Sequence, residues 1–452
     1  MRVFLLAPHL LEVTVFRSRG IRVIPIGLLL ATCLQTGRAQ NPEPGGDLAG
    51  QSLVQLMGMQ VVSAALHDQN LTDAPGDVTV VTAEQIHRWG YRTLADVLSY
   101  VRGFYITSDH SYSYLGARGF SLPGDYGTRT ILMINGHSIS DNIFDATDWL
   151  DNSFPVDLSL VDRIEIVRGA SSALYGSNGM LATINVITKH PRDVKGTQIR
   201  IDTDSLGERK IQASTSLQLG PTANLLFSTS VFNNTGAHDL YFSEYDTPQT
   251  NFGHAIDMDG EKGYHVFADL TWGNWEALAV AGDRVKVQPI TWGQSVFNDP
   301  GTDEEDSRGF FDLSYVKDLS GNRTLSWRTS YDDYRSRGIY HYPSDNGVLD
   351  SRERDYGDWI GSKLTYRLPD STSGYLTVGS ELRIDLRALQ NIYYIVPVQN
   401  QVLSIDRPDR YVGVFAQQEW DLGRHWELNV GGRVDWSKAE TLFPVSPCRR
   451  HL

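Results

Sequence analysis

The chain has 452 residues, 41% of them hydrophobic and 10% aromatic, which is ample apolar material for a folded protein. Lys and Arg number 40 against 54 Asp and Glu, and the resulting net charge of −14 argues against nucleic acid as a partner. Of the two cysteines, Cys33 falls in an apolar leader and Cys448 in the last five residues, so no intrachain disulfide is expected once the leader is removed.

Arg17, Arg19 and Arg22 precede the apolar stretch Ile24 to Leu34, which leads to Gly37-Arg38-Ala39. This is the pattern of a secretory signal peptide over residues 1–39, cut after Ala39. The long run before Arg17 is unusual for a charged leader, so translation is expected to start further in. Leu30-Ala31-Thr32-Cys33 is a poor lipoprotein box because Thr directly precedes the Cys. No other stretch reaches the roughly 18 apolar residues that a membrane helix needs, so a membrane-spanning form would have to be a β-barrel.

Asn41 to Asp47, rich in Pro and Gly, reads as a flexible start, and Gln60-Val61-Val62-Ser63-Ala64 is a short β-prone segment ahead of a polar linker. Val78 to Val81 is strand-like, and Thr82 with Gln85 forms a capping box for a helix that Gly90 ends. A second helix, capped by Thr93, places Leu94, Val97, Leu98 and Val101 on one face and closes at Gly103. Leu115-Gly116-Ala117-Arg118-Gly119-Phe120 follows, then a strand from Thr130 to Ile134 turned by Asn135-Gly136, a strong hairpin signal. Arg163 to Arg168 alternates apolar and charged residues, as a strand with one buried face should. Gly169 breaks it, small residues run on to Tyr175-Gly176, and a second β-prone run covers Ala182 to Thr188, including Asn185. Val161 to Lys189 therefore predicts strand, tight loop, strand, with glycines that allow positive φ or close backbone approach.

After Lys189 the pattern changes to long alternating strands. Ile211, Ala213, Thr215, Leu217 and Leu219 oppose Lys210, Gln212, Ser214, Ser216 and Gln218. Leu376, Val378, Leu382, Ile384 and Leu386 oppose Thr377, Glu381, Arg383, Asp385 and Arg387, and Leu428, Val430, Val434 and Trp436 oppose Glu427, Asn429, Arg433 and Asp435. Alternation alone also fits a soluble sandwich. Tight turns near Gly220, Gly273, Gly321, Gly374 and Gly423, separated by long polar loops at about 235–261, 288–306, 338–351 and 391–407, point instead to a barrel with short turns at one end. Trp272 and Trp275 flank one short turn and Trp420 and Trp426 another, as an aromatic girdle would, and eleven strands are expected in all.

The run from Val161 to Lys189, with the Thr-led helix and the hairpin before it, resembles the plug domain of TonB-dependent outer-membrane receptors, which carry scarce nutrients into Gram-negative cells. The likeness is carried by Arg118, Gly119, Asn135, Gly136, Arg163, Glu165, Arg168, Gly169, Tyr175, Gly176 and Asn185. Ala170 departs from it where many members have proline. The resemblance implies an α+β plug followed by an antiparallel transmembrane β-barrel, of which eleven strands are half of the roughly 22 in plugged transporters. It divides the chain into a signal peptide (1–39), a flexible N-terminus (40–74), the plug (75–190), a partial barrel (191–447) and an aberrant tail (448–452). Thr441 to Pro447 looks like the start of a further family segment whereas Cys448 to Leu452 reads as neither strand nor aromatic terminus, so a frameshift or early stop near Pro447 is expected. A half-barrel with two open edges is not expected to insert as a closed barrel.

The same resemblance implies function. Gln60, Val61, Val62, Ser63 and Ala64 stand where the family keeps its TonB box, which adds as a strand to TonB, although an ordinary strand or linker fits these residues equally well. TonB and its inner-membrane motor complex would draw on the proton gradient to import a ferric siderophore, cobalamin or similar chelate. The other expected partner is outer-membrane lipid, the expected state is a monomer, and no catalytic residue, cofactor or resident metal is expected. Tyr112, Tyr114, Phe120 and Tyr126, in the apical segments, are candidates either to stack on the ligand or to pack the plug against the barrel wall. Asp299, Asp303, Glu304, Glu305 and Asp306, with His238, His254 and His341 elsewhere, have charge to attract a cation but no fixed metal-ligand spacing. Four rival readings stand beside it. A signalling receptor is disfavoured by the short distance from Ala39 to Gln60, a secreted β-rich enzyme or adhesin lacks a recognisable catalytic motif, and the chain could be a non-functional fragment or a receptor that binds without transporting.

Overall fold

The computed structural model describes residues 60–61, 69–70, 77–121, 124–169, 172–176, 178–290, 295–345, 347–370, 374–396, 400–422, 427–438 and 443–445. The expected signal peptide, Val62 to Ala64, Trp426 and the expected tail lie outside them. Strands β1 (Gln60–Val61) and β2 (Gln69–Asn70) pair antiparallel.

The plug follows. β3 (Asp77–Thr82) runs into α1 (Ala83–Trp89), where Thr82 and Gln85 close the expected capping box and Gly90, at φ 69°, ends the helix in the left-handed region. The second helix, α2 (Leu94–Ser99), is capped by Thr93 through Asp96. It ends four residues before Gly103, because Tyr100 already caps it, although Val101 still packs into the core. β4 (Phe104–Ser108) and β5 (Ser113–Ala117) form a separate antiparallel pair. β6 (Thr130–Ile134) turns into β7 (His137–Ser138) through Asn135 and Gly136, both at positive φ (48° and 78°), the geometry of a two-residue hairpin turn. β8 (Val161–Arg168) and β9 (Ala182–Thr188) complete a five-stranded sheet in the order β3-β8-β9-β6-β7, with β6 and β9 parallel.

Two details differ from the sequence reading. A short helix, α3 (Ser172–Tyr175), lies between β8 and β9. β8 is central and buried on both faces, so Glu165 is fully buried beside Arg163 (2.9 Å) rather than turned to solvent. The apolar residues of α1, α2 and the sheet, including Leu94, Leu98, Leu132, Ile134, Ile164, Ile166 and Ile184, form the core.

The rest of the chain is one antiparallel sheet. Its strands are β10 (Thr197–Thr203), β11 (Arg209–Gln218), β12 (Ala223–Asn234), β15 (Glu261–Trp272), β16 (Trp275–Val287), β17 (Asp303–Leu319), β18 (Arg323–Ser344), β19 (Gly347–Pro369), β20 (Gly374–Val396), β22 (Arg410–Asp421) and β23 (Glu427–Ser437), and two shorter pieces bring the sheet to thirteen strands where eleven were expected. β13 (Asp239–Tyr241) and β14 (His254–Ile256) form a hairpin within one long loop. β21 (Asn400–Asp406) pairs with β20, and β24 (Phe443–Val445) pairs with β23. The segments expected as loops at 338–351 and 391–407 are mostly strand, because β18, β19, β20 and β21 continue as long hairpins past the body of the sheet. At the short-turn end, Trp272, Trp275, Tyr315 and Trp327 stand in successive register on neighbouring strands, a continuous aromatic row.

The sheet is inside-out relative to a soluble sandwich. Ile199, Ile211, Leu217, Val231, Leu382, Val414 and Val430 are exposed, whereas Gln212, Ser228, Asp269, Arg308, Asp332, Thr377 and Arg433 are buried. Water would not favour that arrangement, but hydrocarbon outside and a polar filling inside would. Two substitutions test this division. Leu98→Ala should cost about 2–5 kcal/mol, read as a lower denaturant midpoint, because it empties a packed core. Val414→Arg should cost about 2–4 kcal/mol in a bilayer and deplete the chain from membrane fractions, although Val414 touches no core.

Candidate ligand site at the loop end of the plug

The plug is held to the sheet by polar contacts matched to the inward face. In the centre, the His137 Nε2 lies 2.9 Å from Asp332, which also accepts from Arg308 at 2.6 Å, and both members of the Arg308–Asp332 pair have 0% side-chain exposure. The second ring nitrogen of His137 faces Asp312 at 3.4 Å, and Arg308 Nε donates to the Ile139 carbonyl at 3.0 Å. Burial pulls the His137 imidazole toward neutrality, but Asp332 and Asp312 outweigh it and its pKa is raised.

Near the short turns, Arg328 donates to the Asn135 carbonyl at 2.7 Å and pairs with Asp312 at 3.2 Å. On the other flank, Asp157 meets His265 (3.0 Å) and Lys210. Burial raises the Asp157 pKa, yet these partners more than reverse the effect and hold it well below the carboxylate range.

At the long-loop end the plug and sheet enclose a cavity of about 530 Å³. Two aspartates shape its floor. Asp109 Oδ1 accepts from the Ser111 and Tyr112 amides (both 2.8 Å), which folds the β4–β5 turn, and its other oxygen accepts from the Tyr114 hydroxyl at 2.7 Å. Asp141 accepts from the amides of Ile143 (2.8 Å), Phe144 (2.6 Å) and Ala146 (3.0 Å), which shapes the loop after β7. Tyr126 stacks on Phe144 with centroids 5.1 Å apart. The wall side of the cavity presents Tyr334, Tyr340, Glu304, Asp306 and Asp355. A second cavity, about 550 Å³, lies between the β6–β7 hairpin and strands β18, β19, β20, β22 and β23, and includes Tyr175, Lys363 and Tyr411.

Of the expected ligand-contact residues, Tyr112, Tyr114 and Tyr126 line the apical cavity together, while Phe120 is 63% exposed and outside its lining. Tyr112 fits both roles foreseen for it, since its hydroxyl also donates to wall residue Asp306 at 2.6 Å. The residues that carry the family likeness are clasps within the plug. Asn185 accepts from the Gly136 amide (2.9 Å), Asn135 accepts from Thr188 (2.9 Å), and Arg168 pairs with Asp77 and the Arg102 carbonyl. Gly169 and Gly176 adopt φ of 121° and 89°, while Arg118 and Gly119 form the left-handed turn after β5.

The acidic residues expected in one loop part company, since Asp303 to Asp306 already belong to β17. Glu304 and Asp306 enter the cavity, Glu305 pairs with Arg337 (2.7 Å) and Asp299 with His341 (2.6 Å), while His238 and His254 pair with Asp257 (2.6 Å) and Asp239 (2.8 Å). Among the described residues no group of three His, Cys, Asp or Glu side chains has metal-site geometry. For Gln60 and Val61 the structure gives a two-residue strand against Gln69–Asn70.

Sequence reading missed Asp141, Asp148, Trp149, Tyr334, Tyr340 and Asp355 as cavity residues. Strand parity was the available signal for the wall members, since Tyr334 and Tyr340 share the even-numbered positions of buried Asp332 on β18.

Two predictions follow from these contacts. Asp332→Ala strands a fully buried guanidinium and the His137 ring, so it should destabilise plug docking by about 3–5 kcal/mol, read as faster proteolysis of the plug within an intact sheet. Asp148 is raised from 3.8 to about 8, first by burial and then by Asp141, Asp109 and Asp151. Its folded form holds a proton that the unfolded form releases above pH 4, so it lowers stability progressively from there to about pH 8. Asp148→Asn should therefore leave the melting temperature nearly unchanged at pH 4 and raise it relative to the parent chain by an amount that grows up to about pH 8.

Comparison with known proteins agrees with this architecture. Residues 70–183 match the family described as TonB-dependent Receptor Plug Domain. The vitamin B12 transporter of Vibrio cholerae serotype O1 is 24% identical over 292 residues, 63% of this chain and 46% of that protein. The chain thus spans about half the length of the curated relatives it matches. The ferripyoverdine receptor of the outer membrane of Pseudomonas aeruginosa superposes with a TM-score of 0.61 at 14% identity, over 87% of this chain and 55% of that one. The ferric yersiniabactin uptake receptor of Yersinia pestis gives 0.62 at 16% identity, over 80% and 56%. Residues 70–183 are thus a plug domain of the TonB-dependent receptor kind, seated on an antiparallel sheet that has the fold of part of these receptors' barrels.

Proposed function

We propose that this chain serves TonB-driven import of a scarce nutrient chelate, a ferric siderophore, cobalamin or a similar complex, across the outer membrane of a Gram-negative cell, to which a signal peptide exports it. The observation that carries this reading is the apical cavity, where Tyr112, Tyr114 and Tyr126 of the plug face wall residues at the long-loop end. A solute held there contacts both the plug and the wall, so its binding energy can favour one plug position over another. The outer membrane has no nucleotide pool, and the work of displacing the plug would come from TonB acting on the segment Gln60 to Ala64 by strand addition. Relatives named as a vitamin B12 transporter and a ferripyoverdine receptor support the class of cargo.

Cells lacking their own receptors and expressing this gene should accumulate labelled ferric or cobalamin complexes only when TonB is present. Deleting residues 60–64 should abolish accumulation and leave surface binding intact. Binding without TonB-dependent accumulation would favour a receptor that does not transport. Absence of the chain from the outer-membrane fraction, with no heat-modifiable migration, would favour a non-functional fragment.

A further inference from the structure

The apical cavity has an unusual charge for a ligand site. Seven carboxyl groups line it, and no Lys, Arg or His does among the described residues. Most of these carboxyls have partners that shape the protein. Asp109 and Asp141 hold turns, Asp306 accepts from Tyr112 (2.6 Å), Glu304 from Tyr340 (3.2 Å), and Glu353 from Gln390 (3.1 Å).

Asp148 and Asp355 are different. Asp148 is 8% exposed and neither carboxyl oxygen has a hydrogen-bond partner, while Asp355 is 1% exposed with Oδ1 unpartnered. They come from opposite sides of the cavity, one from the plug loop and the other from β19. A buried carboxyl is stable only if something completes its hydrogen bonds or neutralises it; among the described residues no side chain does so for the unpartnered oxygens here, and a bound cation could take the place of the proton that Asp148 otherwise holds. Arg284 stands over the Tyr112 ring at 5.7 Å but is already committed to Glu261 at 2.8 Å.

Around these two acids the cavity carries six tyrosines. Their ring faces attract cations, and their hydroxyls can accept from N–H or O–H donors. A volume of about 530 Å³ suits a compact solute. An anionic chelate would meet carboxyls with no cation to offset them, whereas a positively charged one supplies what Asp148 and Asp355 lack.

Resting on the reading of this cavity as the ligand site, we propose that it selects a cationic, hydrogen-bond-donating solute, such as a positively charged metal complex, held between Asp148 on the plug and Asp355 on the wall. Ligand charge would then tie the plug to the wall at the loop end.

Calorimetric titration of the full chain, reconstituted in lipid nanodiscs, tests this with three probes: hexaamminecobalt(III) as cation, tris(oxalato)ferrate(III) as anion and cyanocobalamin as neutral complex. The cation should bind at least about tenfold more tightly than either other probe. Asp148→Asn and Asp355→Asn should each weaken it by about tenfold, and because each removes an unpartnered buried carboxyl, neither should lower the melting temperature. Asp318→Asn, the same substitution at an exposed position near a short turn, should leave binding unchanged. Equal weakening by Asp318→Asn would show general charge attraction and overturn the proposal. Preference for the anion or the neutral complex would overturn the cation assignment while leaving the cavity as a ligand site. Failure of all three probes to bind would overturn both.

Discussion

The structure depends on one constraint, the inward face of the sheet is polar and must be satisfied by something other than lipid. A sheet of this kind cannot bury an ordinary core on its concave side, because Asp312, Asp332, Arg308 and Arg433 stand where a soluble sandwich has leucine and valine. The plug answers that face with complementary groups. His137, the Ile139 carbonyl, the Asn135 carbonyl and Asp157 each meet a wall residue of suitable charge or donor character. Apolar contact supplements this where Phe267, Leu278, Val280 and Phe310 join the plug's own core. The chain therefore solves two folding problems in sequence, a conventional hydrophobic domain and then a sheet with its apolar side turned out.

That division explains which parts were legible in the sequence. The plug's helices were readable because their signals are local. Thr82 with Gln85, Gly90, and Asn135-Gly136 each fix a turn or cap within four residues. The eleven principal strands of the thirteen were readable because alternation and short-turn spacing are also local. Strand ends were harder. Nothing within 338–351 distinguishes a polar loop from a polar hairpin that outruns the sheet, since both are hydrophilic and the pairing of Tyr342 with Leu349 depends on register set further down. Burial of Glu165 was similarly hidden, because its neighbours on β3 and β9 come from distant sequence.

The site divides along the same line. Tyr112, Tyr114 and Tyr126 could be picked out because aromatic residues in apical plug segments are conspicuous, and all three line one cavity. Asp148 and Asp355 could not, since an aspartate in a loop or on a strand is usually solvated, and only the closure of the wall over the plug removes water from both. Spacing gives no hint that residues 207 positions apart share a cavity. The motif residues show the converse. Asn185, Arg168 and Gly169 were the most conspicuous in sequence and prove to brace the plug, which is why they identify the fold more surely than the cargo.

The polar seam also bears on how such a plug can move. A buried ion pair adds little net stability over a well-packed apolar pair, but losing one partner leaves a buried charge. Displacing the plug dry would leave the Arg308–Asp332 pair together on the wall but part His137 from Asp332 and Asp312, and Arg308 from the Ile139 carbonyl. Water alters this, because hydrated charges lose little when they separate, whereas a separated apolar seam would gain exposed hydrocarbon. A seam of charges is therefore firm while dry and yields once water enters along it. The second cavity already opens against part of that seam, with His137 and Asp332 in its lining. Water entering by that cavity would reach the clasp from one side of the plug, along β18, β19 and β20.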